Sequence, residues 1–248
     1  MLEQTLVIAC KEIKDHLREV RSLWASAFHL LMGPIVISLV LFSLRNAPHA
    51  KTVQIISSMA SIFLLVSAFT GGMTISMDIL AGERERRSLL PLLLNPVSRS
   101  AVVVGKWLAI MLLAEVGVVL TYAAFRLVGV PLAPLAYATL TLLPLAAFAA
   151  AVQLTISTFC RTSKEAQTYL SMLIFVPMGV AMFMVFLAPH PSWWLLCVPI
   201  LGQQALLINA PHSAIVLPTL LLATAWCTAL CLQYAATLLN RDEIVYGR

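Results

Sequence analysis

Ten consecutive residues of this chain carry most of its usable chemistry. Asp78-Ile79-Leu80-Ala81-Gly82-Glu83-Arg84-Glu85-Arg86-Arg87 sets three acids and three bases in one block. The chain as a whole is 60% hydrophobic and only 11% charged. Charges cost free energy near hydrocarbon, so a compact acidic and basic block between apolar runs suggests a docking surface that a soluble protein reads. A second candidate is Glu115, the only acid inside an apolar run, with Tyr122 and Arg126 following on nearly the same helical stripe. Nine residues separate it from Lys106, which places it roughly 13 Å along a helix. The residues leave two readings of Glu115 open: a polar transport face, or a carboxyl bonded to a neighbouring helix. Gln153 and Gln233 are further polar candidates at membrane depth, and His190 and His212 stand in an outer loop.

These residues are positioned by apolar spans. The mean hydropathy of +0.93 over 248 residues exceeds what one soluble core could bury, which places the chain in a bilayer. A crossing helix needs roughly 20 apolar residues. Six segments meet this: Leu23–Leu44, Val53–Met77, Trp107–Val128, Leu135–Phe159, Thr168–Leu187 and Ala214–Leu239. The expected fold is therefore an all-α integral membrane protein with six transmembrane helices. Residues 188–213 hold a shorter apolar stretch interrupted by Pro199 and Gly202, which reads as an outer re-entrant hairpin before the last span.

Thirteen of the sixteen Lys and Arg residues fall on one side of this layout, and only Arg45, Lys51 and Arg126 fall elsewhere. The positive-inside rule then puts both termini in the cytoplasm and the chain in the inner, cytoplasmic membrane as a multi-pass protein. The net charge of +5 is explained by orientation and anionic headgroups, without nucleic acid. Residues 1–22 lack the apolar core of a cleavable signal peptide. They repeat Leu2, Leu6, Ala9, Ile13, Leu17, Val20 and Trp24 at helical spacing, as an amphipathic interfacial helix does. A helix packed on a soluble partner would show the same pattern. Residues 23–248 form one membrane domain, with a cytoplasmic segment at 78–106.

Several chemistries are excluded. Gly105-Lys106 is followed by Trp107 and has no glycine five residues earlier, so it cannot cradle a nucleotide phosphate. The five cysteines form no CxxC pair, and no zinc or other metal site is expected. An intramembrane hydrolase needs paired acids, a histidine-rich metal site or an activated serine at depth, and the spans offer one acid and His29.

Beyond the charge block the sequence continues Ser88-Leu89-Leu90-Pro91-Leu92-Leu93, then Asn95-Pro96-Val97-Ser98-Arg99, then Gly105-Lys106. Ser88 can cap a short helix over Leu89–Leu94, Asn95-Pro96 ends it, and Ser98 can cap the next. This order of motifs over about thirty residues resembles the ABC-2-type family of ABC-transporter permeases. Leu90 stands where relatives usually carry Glu. The nearest motif subgroup is the NatB-like sodium-efflux type, which often has a large insert between spans 1 and 2; Arg45–Thr52 alone fills that place here.

The resemblance implies a permease without catalytic residues, working as a homodimer with two ATPase subunits, which hold the ATP and magnesium. Asp78, Gly82, Glu83, Arg84, Glu85, Arg86, Ser88, Leu89, Pro91 and Leu92 would then couple it to the ATPase. Glu115, Tyr122 and Gln153 are the candidates for a transport pathway. The cargo would be Na+ or a hydrophobic or amphipathic drug, lipid or peptide. A membrane scaffold that docks a soluble partner through the same loop is the alternative.

Overall fold

The computed structural model describes residues 2–44, 49–88, 98–186, 193–208 and 216–239. Among them every regular element is a helix. They are α1 (Leu2–Arg18), α2 (Val20–Ser43), α3 (His49–Thr70), α4 (Met73–Asp78), α5 (Ala81–Glu85), α6 (Arg99–Leu127), α7 (Leu135–Phe159), α8 (Ser163–Leu173), α9 (Phe175–Phe186), α10 (Trp193–Leu196), α11 (Leu201–Ile208) and α12 (Val216–Leu238). Six stretches are long and apolar enough to cross a membrane: Ser22–Ser43, Ile55–Glu85, Arg99–Leu127, Leu135–Phe159, Ser163–Phe183 and Val216–Leu238. The protein is thus an all-α membrane protein.

Spans 2, 3 and 4 form the centre. Phe69, Leu64, Leu65, Val118, Phe125, Leu142 and Leu145 are all buried there. Small residues set the closeness of the helices. A Cβ on Gly117 would lie 2.9 Å from the Gly71 Cα, so the glycines let α6 cross span 2 backbone to backbone. Spans 1 and 6 bury only 17% of their apolar windows, which leaves broad faces such as Leu39, Phe42, Leu222 and Trp226 suited to lipid.

Two spans are broken, and local sequence explains both breaks. Span 2 interrupts at Gly71-Gly72 and again at Ile79-Leu80, so its end becomes the short helices α4 and α5. Span 5 interrupts at Ile174, because Pro177 has no N–H to offer the Leu173 carbonyl. The predicted cap at Ser98 is present: its hydroxyl accepts from the Ala101 N–H at 3.2 Å. The expected helix over Leu89–Leu94 lies outside the described residues.

In the segment before span 6, α10 and α11 turn at Ile200, whose φ of +75° is uncommon for a β-branched residue. The Gln203 side chain stabilises that turn by accepting from the Ile200 N–H at 2.6 Å, as half of a capping box. Gln203 and Gln204 are fully buried and donate to Thr224 of span 6 and Ser61 of span 2.

Helix α1 differs from a single apolar stripe laid on a surface. Thr5, Ala9 and His16 are buried against the bundle, while Leu6, Val7 and Leu17 remain exposed. Gly105 permits this docking, since a Cβ there would come within 2.9 Å of Ile8 and of the Thr5 carbonyl.

Candidate functional site: an internal charge hub

The charge block reads as a surface in the sequence. In the structure most of it points inward. Helix α5 is only five residues long, and it is held by side chains from three other elements. Its first amides, Leu80 N–H and Ala81 N–H, are capped by the Ser157 hydroxyl of span 4 at 3.4 and 3.2 Å. Arg84 reaches the end of the same span. Its guanidinium donates to the carbonyls of Thr158 (2.7 Å), Cys160 (2.9 Å) and Phe159 (3.4 Å). These are carbonyls that a helix C-terminus leaves without intrahelical donors, and a cation there also complements the helix dipole.

Asp78 and Glu85 tie the block to the start of span 5. Asp78 accepts from the Ser163 hydroxyl, and Glu85 accepts from the Ser163 N–H at 2.9 Å. Gly82 sits between Asp78 and Arg86 on one helical face; a Cβ there would lie 2.8 Å from the Asp78 carboxylate and 3.0 Å from the Arg86 guanidinium.

Glu83 points the other way, to Lys106. The Lys106 side chain is 0% exposed, and its Nζ donates to Glu83 Oε1 (2.8 Å), to Glu12 Oε1 of α1 (2.9 Å) and to the Ile79 carbonyl (2.8 Å). An ammonium has three donors, and all three are used. In the sequence Lys106 stands out only as a member of the Gly105-Lys106 motif and as one basic residue among those on the expected cytoplasmic side. The signal that could have flagged it is Gly105, whose missing Cβ lets α1 approach and seal the lysine from water.

Between α1 and the block lies a cavity of about 380 Å³, lined among others by Glu12, Asp15, His16, Glu19, Asp78 and Glu83. His16 bridges its upper edge. Its ring contacts the Ser22 hydroxyl at 3.0 Å and the Thr74 hydroxyl of α4 at 3.4 Å. Burial lowers the His16 pKa below 6.5, against the opposing pull of Glu19 and Asp78. The neutral ring is therefore the docked form. An undocked α1 binds more protons once pH falls below 6.5, so docking is fully stable above that pH and weakens beneath it. Hydrogen exchange of α1, corrected for intrinsic pH dependence, should show faster opening below pH 6.5. His16→Asn should remove that acid sensitivity; an unchanged profile in the variant would assign it to another group.

Arg86, Arg87 and Ser88 stay exposed, and Arg87 has a positive φ of 55° at the end of α5. Leu89, Pro91 and Leu92 lie outside the described residues. The basic side chains of the described hub, together with Arg99, Arg161 and Lys164, gather at one end of the bundle. That follows because α1, α5, the start of α6, the end of α7 and the start of α8 bond to one another there.

The three candidates within the spans occupy separate roles in the packing. Gln153 is buried; it donates to the Phe69 carbonyl at 2.6 Å and accepts from the Ser76 hydroxyl at 2.8 Å. It thereby bridges the Gly71-Gly72 break, where span 2 has carbonyls to satisfy. Tyr122 donates to the Ala133 carbonyl at 2.7 Å and lines a small cavity of about 30 Å³ with Ser57 and Ser61. Glu115 is half-buried, and its Oε2 is enclosed with no hydrogen-bond partner among the described residues. Among those residues no three His, Cys, Asp or Glu side chains converge as a metal site.

Residues 31–235 match the family described as ABC-2 family transporter protein. This chain belongs to that family. The ABC-2 match takes in spans 2 to 5, parts of spans 1 and 6, and the hub apart from α1. A curated relative, the ABC transporter permease protein NatB of Bacillus subtilis (strain 168), is 33% identical over 169 residues. That alignment covers 61% of this chain and 43% of the relative, so the ABC-2 chain here spans less than half the relative's length. The motif resemblance seen in the sequence is thus a membership of the ABC-2 transporter family.

Proposed function

We propose that this permease works in an exporter of the inner membrane, with cytoplasmic termini, as one of two identical copies driven by two separate ATPase subunits. ATP and magnesium belong to those subunits. The carrying observation is the hub itself. A five-residue helix that continues span 2 is bonded directly to span 3, span 4 and span 5, and through Lys106 to α1, while Arg86 and Arg87 face outward. A push delivered at Arg86–Ser88 therefore reaches four other elements through charged or capped contacts. Asp78, Glu83, Arg84 and Glu85 transmit; Arg86 and Arg87, with the Leu89–Leu92 stretch, meet the ATPase.

The cargo follows less directly. The family resemblance supports Na+. The spans themselves, whose other acids gather at the hub end and leave only Glu115 deeper in, support a hydrophobic or amphipathic drug, lipid or peptide, because hard cations need several oxygen ligands. Transport by inverted vesicles of sodium and of a fluorescent amphiphile separates the two.

Charge reversal of the outward pair tests the docking role. Arg86→Glu with Arg87→Glu is expected to abolish co-purification of the ATPase while the permease still inserts with unchanged thermal stability, since these side chains are exposed. Retained stoichiometric binding would move the contact elsewhere. A chain that binds a soluble protein without any dependence of ATP hydrolysis on the pair would instead be a scaffold.

A further inference from the structure

We infer that α1 is a moving part of the coupling machinery, with Glu12 as the positioning residue that ties it, through Lys106, to α5. This rests on the proposed coupling role of α5 and extends it to an element outside the matched family region, which begins at residue 31.

Helix α1 and the α4–α5 segment face each other across the polar cavity, and Ala9 and Ile13 of α1 belong to the same apolar cluster as Ile75, Ile79 and Leu80. Beside that cluster their polar connection passes through two pins one helical turn apart. The first is Glu12 to Lys106 to Glu83, the second His16 to Thr74, which also bonds Ser26 at 2.8 Å. On its other side α1 rests along α6, where Ile8 and Thr5 lie against Gly105. That geometry is a hinge line with a pin beside it.

The pin cannot slip cheaply. Glu12 and Glu83 share one fully buried ammonium whose three donors are all engaged. If α5 carries Glu83 away alone, the ammonium is left under-paired in a site that water does not reach, which is strongly unfavourable. The lower-energy response is for Nζ to follow, and Glu12 with it. The cavity gives α1 room to do so. Only Glu19, in extended conformation, separates α1 from α2, so a rotation of α1 reaches span 1 over a single residue.

The experiment uses the full permease reconstituted with its ATPase and carrying spin labels. Native Cys10, exposed on α1, reports one position, and Ser88→Cys reports the end of α5. Each is paired with Leu127→Cys at the far end of α6, with the other native cysteines replaced, Cys10 included in the Ser88 pair. In the otherwise native complex, ATP with vanadate is expected to shift both distances, on the order of 2 Å as for packed helices that slide.

In Glu12→Ala the Ser88 shift should persist and the Cys10 shift should disappear, because Lys106 keeps Glu83 and the Ile79 carbonyl. A merely structural glutamate would not separate the two readouts. An unchanged Cys10 shift in this variant overturns the inference, as does an α1 that stays still while α5 moves in the native complex. A native Ser88 label that does not respond sinks the coupling reading, and the inference falls with it. Should Glu12→Ala fail to insert, Glu12→Leu, which keeps the side chain's bulk but offers Lys106 no acceptor, is read in the same way.

Discussion

Lys106→Met is expected to be the most damaging single substitution outside the spans' packed centre. Methionine fits the lysine's volume, so the loss is electrostatic. Glu12 and Glu83, each only 13–14% exposed, would face one another with no counter-charge, and the Ile79 carbonyl would lose its donor. Removing one partner from a buried ion pair costs about 3 to 5 kcal/mol, a large share of a fold's net stability. The cost should be concentrated in α1 and α5, which α6 would no longer hold together. Thermal unfolding of the purified permease, followed with proteolysis of α1, measures it. Combining Lys106→Met with Glu12→Gln and Glu83→Gln should recover much of the loss, since the stranded charges are then gone. A Lys106→Met protein as stable as the native one would mean that water reaches the site and that the ion pairs contribute little.

Arg84→Ala is expected to separate hydrolysis from transport. Three carbonyls at the end of span 4 lose a shared cation, and α5 keeps only the Ser157 cap on that side. Hydrogen bonds to a charged group contribute about 1.5 to 3 kcal/mol, and the half-buried setting places Arg84 toward the lower end. That corresponds to a roughly ten- to hundredfold change in how often α5 is engaged with span 4. The ATPase should stay bound and keep hydrolysing, because Arg86 and Arg87 are untouched. ATP-driven uptake into inverted vesicles should fall about tenfold or more. Arg84→Lys should not restore it, since a single ammonium lacks the planar fork that spans three carbonyls. Equal loss of hydrolysis and transport would place Arg84 in docking and not in transmission.

The spans were legible because an unbroken apolar run of sufficient length has few alternatives to a membrane helix, and the Ser98 cap because its chemistry is local. The direction of the charges was not. Glu83, Arg84 and Glu85 sit beside one another in sequence and look like a solvated run. The partners that fix them lie along the chain: Lys106 draws Glu83 inward from 23 residues away, Arg84 meets Cys160 across 76, and the exposed Glu85 meets Ser163 across 78. No spacing rule within the motif encodes those pairings. Gln153 shows the same limit. Read alone it is a polar group at membrane depth; its place is set by Gly71-Gly72, a backbone break in another span that its amide bridges. The docking of α1 depends on Gly105, whose missing Cβ makes room for Ile8, a contact that the Gly105-Lys106 motif does not announce.

The account stands most directly on whether a separate ATPase drives this chain through the hub. Gentle affinity purification of the permease from its native membranes, with mass spectrometry and an ATP hydrolysis assay on the product, addresses that in one experiment. The account predicts a stoichiometric ABC-type ATPase that hydrolyses ATP and is lost from the Arg86→Glu, Arg87→Glu permease. An intact, folded permease that purifies alone, with no nucleotide hydrolysis, would contradict it.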